Sequence, residues 1–291
     1  MTHIINDNQS WVVLNNGVEI PALGFGVWQI EDEETCVNAV VNAIETGYRM
    51  IDTASIYMNE KAVGNAILKS GIQRNNMFVT SKLWVQDHGY ENAKRAFQRT
   101  LDRLQLDYLD MYLLHWPFGD FLGAWKALEE LYAEGKIKAI GVCNFTIEKL
   151  EELKANSKVI PVVNQIELHP LFQQKELQIY NRENNIVTEP WSPLGNGSDA
   201  ILNNESLLKI AQNYDKTVAQ IVLRWHLQEG FVVIPKSITP SRIQENFNVF
   251  DFELSQEEMD EIRKKDTNKR IFFDPKDPEW EQKMLNSRAD I

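Results

Sequence analysis

Short apolar runs rich in β-branched and aromatic residues recur along this chain. Eight of them occupy positions 22–28, 48–53, 77–84, 109–115, 139–145, 162–168, 187–192 and 232–237. Runs that are apolar almost without interruption are typical of a parallel sheet that is buried on both faces. Ahead of them, residues 11–20 contain two strand-like runs around Asn15-Asn16-Gly17, and this pattern predicts a β-hairpin.

Amphipathic segments lie between the apolar runs and predict helices. The first covers 31–46, and Gly47 suits its C-terminal cap. The same periodicity predicts further helices at 58–70, 91–104, 121–134, 146–156, 173–184 and 217–229. Near the C-terminus, Ser255 and Glu258 form an S-x-x-E capping box, which predicts one more helix start.

The strict alternation of strands and helices predicts the fold. Successive βαβ units have right-handed crossovers, and eight of them can close into one barrel. We therefore expect an α/β protein, a (β/α)8 TIM barrel with an N-terminal β-hairpin and an irregular C-terminal tail. No Pro/Gly/Ser-rich linker or change in composition divides the chain, so residues 1–291 are predicted to form a single domain.

The composition and net charge of the chain argue against certain classes of binding partner. Hydrophobic residues make up 43% of the chain, and 30 basic against 42 acidic side chains give a net charge of −12 at pH 7. Such an acidic protein repels nucleic acid and anionic membranes, so neither is expected as a partner. The chain has no secretion signal or membrane-spanning apolar run, and Cys36 and Cys143 lack metal-site spacing. These features predict a cytoplasmic protein without a metal site.

Four polar side chains fall at the ends of successive predicted strands, where the chemistry of such a barrel lies. Asp52 ends the second strand, Tyr57 lies in the following loop, Lys82 ends the third strand and His115 the fourth. Each alone has an ordinary structural explanation, but together they suggest proton donation to a carbonyl oxygen. The Lys82 ammonium would lower the pKa of Tyr57, Asp52 would keep Lys82 charged, and His115 would orient the carbonyl. A reduction would also need a hydride from a nicotinamide cofactor.

The segment after the eighth run predicts a phosphate site. Thr239 and Pro240 suit the start of a helix, and helix N-termini attract anions. Lys236, Ser237 and Arg242 surround this start with hydrogen-bond donors. A solvated basic turn is the alternative, but a phosphate beside the eighth strand is common in barrel enzymes. The residues match a phosphomonoester such as the 2′-phosphate of NADPH, which favours NADPH over NADH.

Three long segments resemble the signatures of the aldo-keto reductase superfamily. They are GYRMIDTASIYMNE (47–60), WKALEELYAEGKIKAIGVCNF (125–145) and IPKSITPSRIQEN (234–246), and the resemblance extends from about residue 11 to about residue 270. The short segment after His115 is most similar to the bacterial diketogluconate and glyoxal reductases. The resemblance implies an NADP-dependent reductase that converts aldehydes and ketones, such as glyoxals or keto sugars, to alcohols. Tyr57 would be its general acid, within a catalytic tetrad of Asp52, Tyr57, Lys82 and His115.

The same resemblance implies the binding residues. Those of the cofactor would be Gly26, Val27, Asp52, Cys143, Asn144, Gln165, Trp191, Ser192, Leu194, Lys236, Ser237, Arg242, Glu245 and Asn246. Trp28, Tyr57, His115 and Trp116 would contact a small carbonyl substrate. Cys143 stands where the superfamily usually has serine, so one hydrogen bond to the cofactor carboxamide would be weaker.

Two other hypotheses stay open at the level of sequence. One is an NADPH-binding regulatory or interaction protein with little turnover, since a fold does not fix a function. The other is a barrel that acts on sugar phosphates without hydride transfer. The physiological substrate and the oligomeric state do not follow from the sequence, although a monomer is compatible with it. Phe272, Phe273 and Trp280 in the tail either cover the substrate pocket or pack on the barrel.

Overall fold

A computed structural model describes residues 2–5 and 9–287 and places a parallel sheet at the centre of the chain. The strands are β1 (Thr2–Ile5), β2 (Gln9–Val13), β3 (Glu19–Pro21), β4 (Phe25–Gly26), β5 (Met50–Asp52), β6 (Phe78–Leu83), β7 (Leu109–Leu114), β8 (Ile137–Cys143), β9 (Val163–Glu167) and β10 (Val187–Trp191). Strands β4 to β10 pair in chain order as seven parallel strands, and β1 to β3 form a separate antiparallel sheet. The predicted hairpin is therefore present as β2 and β3, whereas β1 was not predicted.

Helices connect consecutive strands of the parallel sheet. They are α1 (Glu33–Thr46), α2 (Glu60–Ser70), α3 (Tyr90–Leu104), α4 (Phe121–Ala133), α5 (Ile147–Asn156), α6 (Lys175–Glu183), α7 (Asp199–Leu202), α8 (Glu205–Tyr214), α9 (Val218–Gln228), α10 (Pro240–Phe247), α11 (Gln256–Arg263) and α12 (Pro278–Asn286). This order confirms the predicted α/β barrel architecture. No described helix combines the length and apolar character needed to cross a membrane.

The eighth apolar run closes the sheet without forming a regular strand. Val233 bridges Leu23 in parallel, and the Gly26 N–H donates to the Pro235 carbonyl at 3.1 Å. On the other side, the Val232 N–H donates to a carbonyl of β10 at 3.3 Å. Pro235 has no N–H to continue a ladder, so regular pairing stops within this run. The expected eighth strand is thus corrected to a hydrogen-bonded segment between β4 and β10.

The hairpin covers the N-terminal end of the barrel. Leu14 and Ile20 are buried in one cluster with Met50 and Phe78, the first residues of β5 and β6. The Asn15 side chain also donates to a backbone carbonyl just before β9, at 3.1 Å. Because this end is filled, the opposite end of the barrel is the place where a ligand can enter.

One helix start and one helix end were predicted correctly, whereas the structure of the tail was not. Ser255 and Glu258 form the expected capping box of α11, and Gly47 caps α1 with a φ of 126°. The tail, however, is not irregular, because it contains α12. Asp277 caps this helix by accepting the N–H of Glu279, and a proline follows at its first position. Helices α7 and α8 were also missed.

Candidate active site

A cavity of about 930 Å³ lies at the carboxyl ends of the barrel strands. Its lining includes Asp52 at the end of β5, His115 directly after β7 and Asn144 directly after β8. Its lining continues along the end of β10 to the segment before α10. The cavity therefore joins the predicted catalytic residues to the predicted phosphate site.

Lys82 connects the predicted catalytic residues. Its Nζ donates to Asp52 Oδ1 at 2.5 Å, to the Thr53 carbonyl at 2.8 Å and to Tyr57 Oη at 3.4 Å. Lys82 is fully buried beneath the cavity, whereas Asp52 and Tyr57 line it. The ammonium group can thus act on a ligand only through its neighbours.

A tight loop holds Tyr57 in place. The residue ends a 3₁₀ turn, Ser55–Tyr57, and the Ser55 hydroxyl donates to the Lys82 carbonyl at 3.0 Å. Met58 follows with a φ of 58°, in the left-handed region that is unfavourable for a side chain with a Cβ. Asn59 donates to the Val27 carbonyl at 2.9 Å and so ties the loop to the residue after β4. The loop conformation is therefore fixed by contacts with two strands.

The pKa of Tyr57 differs from the expected direction. Burial raises it to about 12, and the Lys82 ammonium opposes this rise without reversing it. For Lys82, burial works to lower the pKa, but Asp52 and Tyr57 outweigh it and hold the pKa above its ordinary value. At neutral pH both side chains are accordingly protonated, Tyr57 as a neutral phenol and Lys82 as a cation.

His115 is a neutral imidazole beside the phenol. Its ring packs edge-on against Tyr57 and Trp84, with centroid distances of 5.7 and 5.1 Å. Burial lowers the pKa of His115 well below 6.5, and the positive charge of Lys82 lowers it further. A neutral imidazole carries one N–H, so His115 can donate one hydrogen bond to a ligand oxygen.

Asn144 is held by two strands at the cavity wall. Its Nδ2 donates to the His115 carbonyl at 3.1 Å, and its Oδ1 accepts the indole N–H of Trp191 at 2.9 Å. A φ of 61° turns Asn144 out of the strand direction immediately after β8. The second hydrogen of Nδ2 has no partner among the described residues and is available to a ligand.

Gln165 lies between two buried carboxyl groups. Its Nε2 donates to Asp52 Oδ2 at 3.0 Å and to Glu189 Oε2 at 3.1 Å. Its Oε1 accepts the weak thiol hydrogen bond of Cys143, with a sulfur–oxygen distance of 3.9 Å. Glu189 was not predicted, although a charged residue within the apolar run 187–192 was a signal for it. Burial raises the pKa of Glu189 to about 8, and the nearby Asp52 carboxylate contributes to this rise.

The end of the cavity beside α10 contains the predicted phosphate-binding residues. Lys236, Ser237 and Arg242 all line it, and α10 begins between them. Neither Lys236 nor Arg242 forms an ion pair with any residue in 2–5 or 9–287. The Ser237 hydroxyl oxygen accepts the N–H of Thr239 at 3.1 Å. Two unpaired cations thus face the cavity of a protein with a net charge of −12.

The structure brings nearly all predicted binding residues to this cavity. Those that line it are Gly26, Trp28, Asp52, Tyr57, His115, Trp116, Asn144, Gln165, Trp191, Ser192, Leu194, Lys236, Ser237, Arg242, Glu245 and Asn246. Val27 and Cys143 do not line it. The Val27 N–H is already bonded to the Asp52 carbonyl at 3.1 Å, and Cys143 lies below in the barrel core. Trp84, Gln29 and Thr217 line the cavity but were not predicted.

Aromatic rings from the tail complete the wall near Tyr57. Phe272 packs edge-on against Trp28 and Trp191, with centroid distances of 5.6 and 5.1 Å. Trp280 packs edge-on against Trp116 with a centroid distance of 5.9 Å, and Phe273 stacks on Trp280. Phe272 and Phe273 therefore form part of the cavity wall, whereas Trp280 packs on the barrel beside it. Within the described part of the chain, no three His, Cys, Asp or Glu side chains are grouped to hold a metal ion.

Comparison with known proteins places this site in context. The family model described as "Aldo/keto reductase family" matches residues 22–267. The chain is 51% identical to the glyoxal reductase of Bacillus subtilis (strain 168), over 91% of this chain and 95% of that protein. It is 50% identical to the 9,11-endoperoxide prostaglandin H2 reductase of Trypanosoma cruzi (strain CL Brener), over 93% of this chain and 96% of that protein. The crystal structure of a Gox0644 mutant in complex with NADPH has a TM-score of 0.88 and 41% identity, over 92% of this chain and 97% of that one.

Proposed function

This chain belongs to the aldo/keto reductase family, whose members are oxidoreductases that act on carbonyl groups, and we propose that it reduces small aldehydes and ketones with NADPH. Two relatives support glyoxal-type dicarbonyls as substrates, because the Bacillus subtilis protein is named a glyoxal reductase and the Escherichia coli (strain K12) protein a methylglyoxal reductase. Tyr57 would be the general acid. One observation carries the proposal: a single buried lysine reaches both the Asp52 carboxylate and the Tyr57 hydroxyl at the cavity floor.

The protonation states suit a reduction. A carbonyl oxygen that receives negative charge needs a proton, and Tyr57 holds one at neutral pH because burial raises its pKa. Once Tyr57 has given up this proton, the phenolate oxygen faces the Lys82 ammonium at 3.4 Å, which stabilises it. The neutral His115 ring, edge-on to Tyr57, would donate its N–H to the same carbonyl oxygen and orient it. Solvent would return the proton to Tyr57 after the alcohol leaves.

The described residues fit NADPH at both ends of the cavity. When bound, NADPH supplies the hydride that goes to the carbonyl carbon. Asn144 has a free N–H for the carboxamide oxygen, and Gln165 Oε1 can accept from the carboxamide nitrogen. Lys236 and Arg242, unpaired within the described chain, would bind the 2′-phosphate, with Ser237 beside them. The same cation pair gives the physical reason to expect NADPH rather than NADH.

Tyr57→Phe tests the proposal. Loss of a general acid lowers turnover by roughly 100- to 10,000-fold, so methylglyoxal reduction should collapse while NADPH still quenches the intrinsic tryptophan fluorescence. Tyr132→Phe is the matched control, because Tyr132 lies on α4 and does not line the cavity. Full turnover in Tyr57→Phe would rule out Tyr57 as the acid. NADPH binding by the wild type without turnover on a panel of aldehydes would instead favour a regulatory or interaction protein.

A further inference from the structure

Glu189 is a buried acid that the proposed reaction does not use. It lies on β10, its side chain is fully buried, and it does not line the cavity. Oε2 accepts from Gln165 Nε2 at 3.1 Å, whereas Oε1 has no hydrogen-bond partner among the described residues. A buried carboxylate with an oxygen left unpaired is costly, so this position calls for an explanation.

The hydrogen bonds around Gln165 determine which way its amide points. Both hydrogens of Nε2 are directed at carboxyl oxygens, Asp52 Oδ2 on one side and Glu189 Oε2 on the other. The flipped amide would place Oε1 against these two acceptors and would lose both bonds. Only the observed orientation leaves Oε1, which accepts just the weak thiol hydrogen bond of Cys143, with a lone pair for a hydrogen bond from a ligand. Glu189 and Asp52 together therefore dictate the orientation of Gln165.

The charges in this part of the barrel favour an uncharged Glu189. One amide separates its carboxyl group from that of Asp52, and the Lys82 ammonium is already bonded to Asp52 at 2.5 Å. If both carboxyl groups were ionised, the single ammonium would neutralise only Asp52, and the charge of Glu189 would be buried without a partner. A proton on the unpaired Oε1 removes that charge and keeps Oε2 as the acceptor for Gln165.

We propose that Glu189 is a positioning residue whose uncharged carboxyl group holds the Gln165 amide, so that Oε1 is presented to the nicotinamide carboxamide. This inference rests on the proposed function, because it assigns the carboxamide of NADPH to Gln165. Glu189 acts only through Gln165 and Asp52. Its loss should weaken cofactor binding before it affects the chemistry at Tyr57.

The first test measures NADPH binding, by fluorescence titration and without substrate. Glu189→Leu removes the acceptor and should raise the Kd roughly 2- to 10-fold, the worth of one hydrogen bond between neutral groups. Glu189→Gln retains a neutral acceptor oxygen and should stay within about 2-fold of wild type at pH 7. Thr188→Val is the control, because Thr188 precedes Glu189 on β10 but faces Asn181 of α6, away from the barrel interior. A Glu189→Leu protein that binds NADPH as wild type does would overturn the proposal.

A double-mutant cycle tests whether the effect passes through Gln165. If it does, Glu189→Leu should change the Kd by less than about 2-fold when Gln165 is already leucine. Independent, multiplying effects of the two substitutions would show that Glu189 acts by another route and would overturn the proposal. Circular dichroism confirms that each variant is folded, and the pH profile of Glu189→Gln decides the question if the leucine variant does not fold.

The pH profile tests the proton on Glu189. The titratable groups around it are Asp52 on β5, Lys82 on β6 and Cys143 on β8, and both Lys82 and Cys143 have pKa values raised above their ordinary ones. Loss of the Glu189 proton near pH 8 would add a negative charge beside Asp52 and make Tyr57 a weaker acid. The single-turnover rate of NADPH oxidation should therefore fall above pH 8 in wild type, and this transition should be absent from Glu189→Gln. The same transition in both proteins would overturn the proposal, whereas an inactive wild type would overturn the proposed function.

Discussion

Glu167 accepts the backbone N–H of Ile271 at 2.7 Å, although 104 residues separate the two in the chain. The same oxygen accepts the N–H of Phe272 at 3.2 Å, and Arg270 lies 3.4 Å from the other carboxylate oxygen. Glu167 is fully buried at the end of β9, so it fixes the tail to the rigid part of the barrel. Phe272 is thereby held between Trp28 and Trp191 at the cavity wall.

Removal of the Phe272 ring should change substrate preference. In Phe272→Ala, an aromatic aldehyde loses apolar contact in the cavity, and its KM should rise roughly 3- to 10-fold with little change in kcat. Methylglyoxal is too small to depend on this contact, so its KM should change less. Steady-state kinetics with both substrates provides the measurement. Phe250→Ala is the control, because Phe250 does not line the cavity. An equal rise in KM for both aldehydes in Phe272→Ala would contradict a contact with the larger substrate.

The position of the tail could not be predicted from the sequence, for a physical reason. It depends on one buried carboxylate that meets two backbone N–H groups far away in the chain. Nothing in the local pattern around Phe272 specifies that contact. By contrast, Asp52, Lys82 and His115 were predictable, because parallel strands bring their carboxyl ends to one side of the sheet and each residue follows an apolar run.

Two expectations were wrong, each for its own physical reason. The Lys82 ammonium does lower the pKa of Tyr57, but desolvation raises it more, and the sequence does not report how dry the cavity floor is. The eighth strand was expected from its apolar residues, but Pro235 interrupts its hydrogen bonds. The single-domain organisation and the cytoplasmic location stay predictions.

Arg242→Ala should weaken the binding of NADPH selectively. Loss of one charged hydrogen bond costs about 1.5–3 kcal/mol, which corresponds to a roughly 10- to 150-fold rise in Kd. The Kd of NADH should change little, because NADH lacks the 2′-phosphate. Isothermal titration with each cofactor measures the difference. Arg182→Ala, an exposed cation on α6 outside the cavity, should alter neither value. Equal losses for NADPH and NADH would contradict the phosphate role of Arg242.

Gly64→Ala should destabilise the barrel despite the better helix propensity of alanine. A Cβ on Gly64 of α2 would lie 2.3 Å from the Leu104 carbonyl oxygen at the end of α3. Backbone cannot rotate away as a side chain can, so the two helices would have to separate. The steric clash outweighs the gain of about 1 kcal/mol from helix propensity, and we expect the free energy of unfolding to fall by about 1–3 kcal/mol. Urea unfolding gives the free energy directly, and exposed Lys61→Ala on the same helix should change it by less than about 0.5 kcal/mol. A Gly64→Ala protein as stable as wild type would show that α2 and α3 can separate without cost.

His226 should make the fold sensitive to acid. Its Nε2–H donates to the Pro193 carbonyl at 3.2 Å, and burial lowers its pKa to about 3. In the unfolded chain a histidine binds a proton below about pH 6.5. The unfolded state therefore gains protons that the folded state does not, and stability falls as the pH drops from 6.5 towards 3. At pH 5 this group should cost about 2 kcal/mol relative to pH 7.5. His226→Gln keeps an N–H donor on a side chain that does not titrate, so its free energy of unfolding should fall less over that interval. Urea unfolding at pH 5.0, 6.0 and 7.5 gives the free energy of unfolding of wild type and of His226→Gln as a function of pH. If both proteins lose the same stability over this interval, His226 does not contribute to the acid sensitivity.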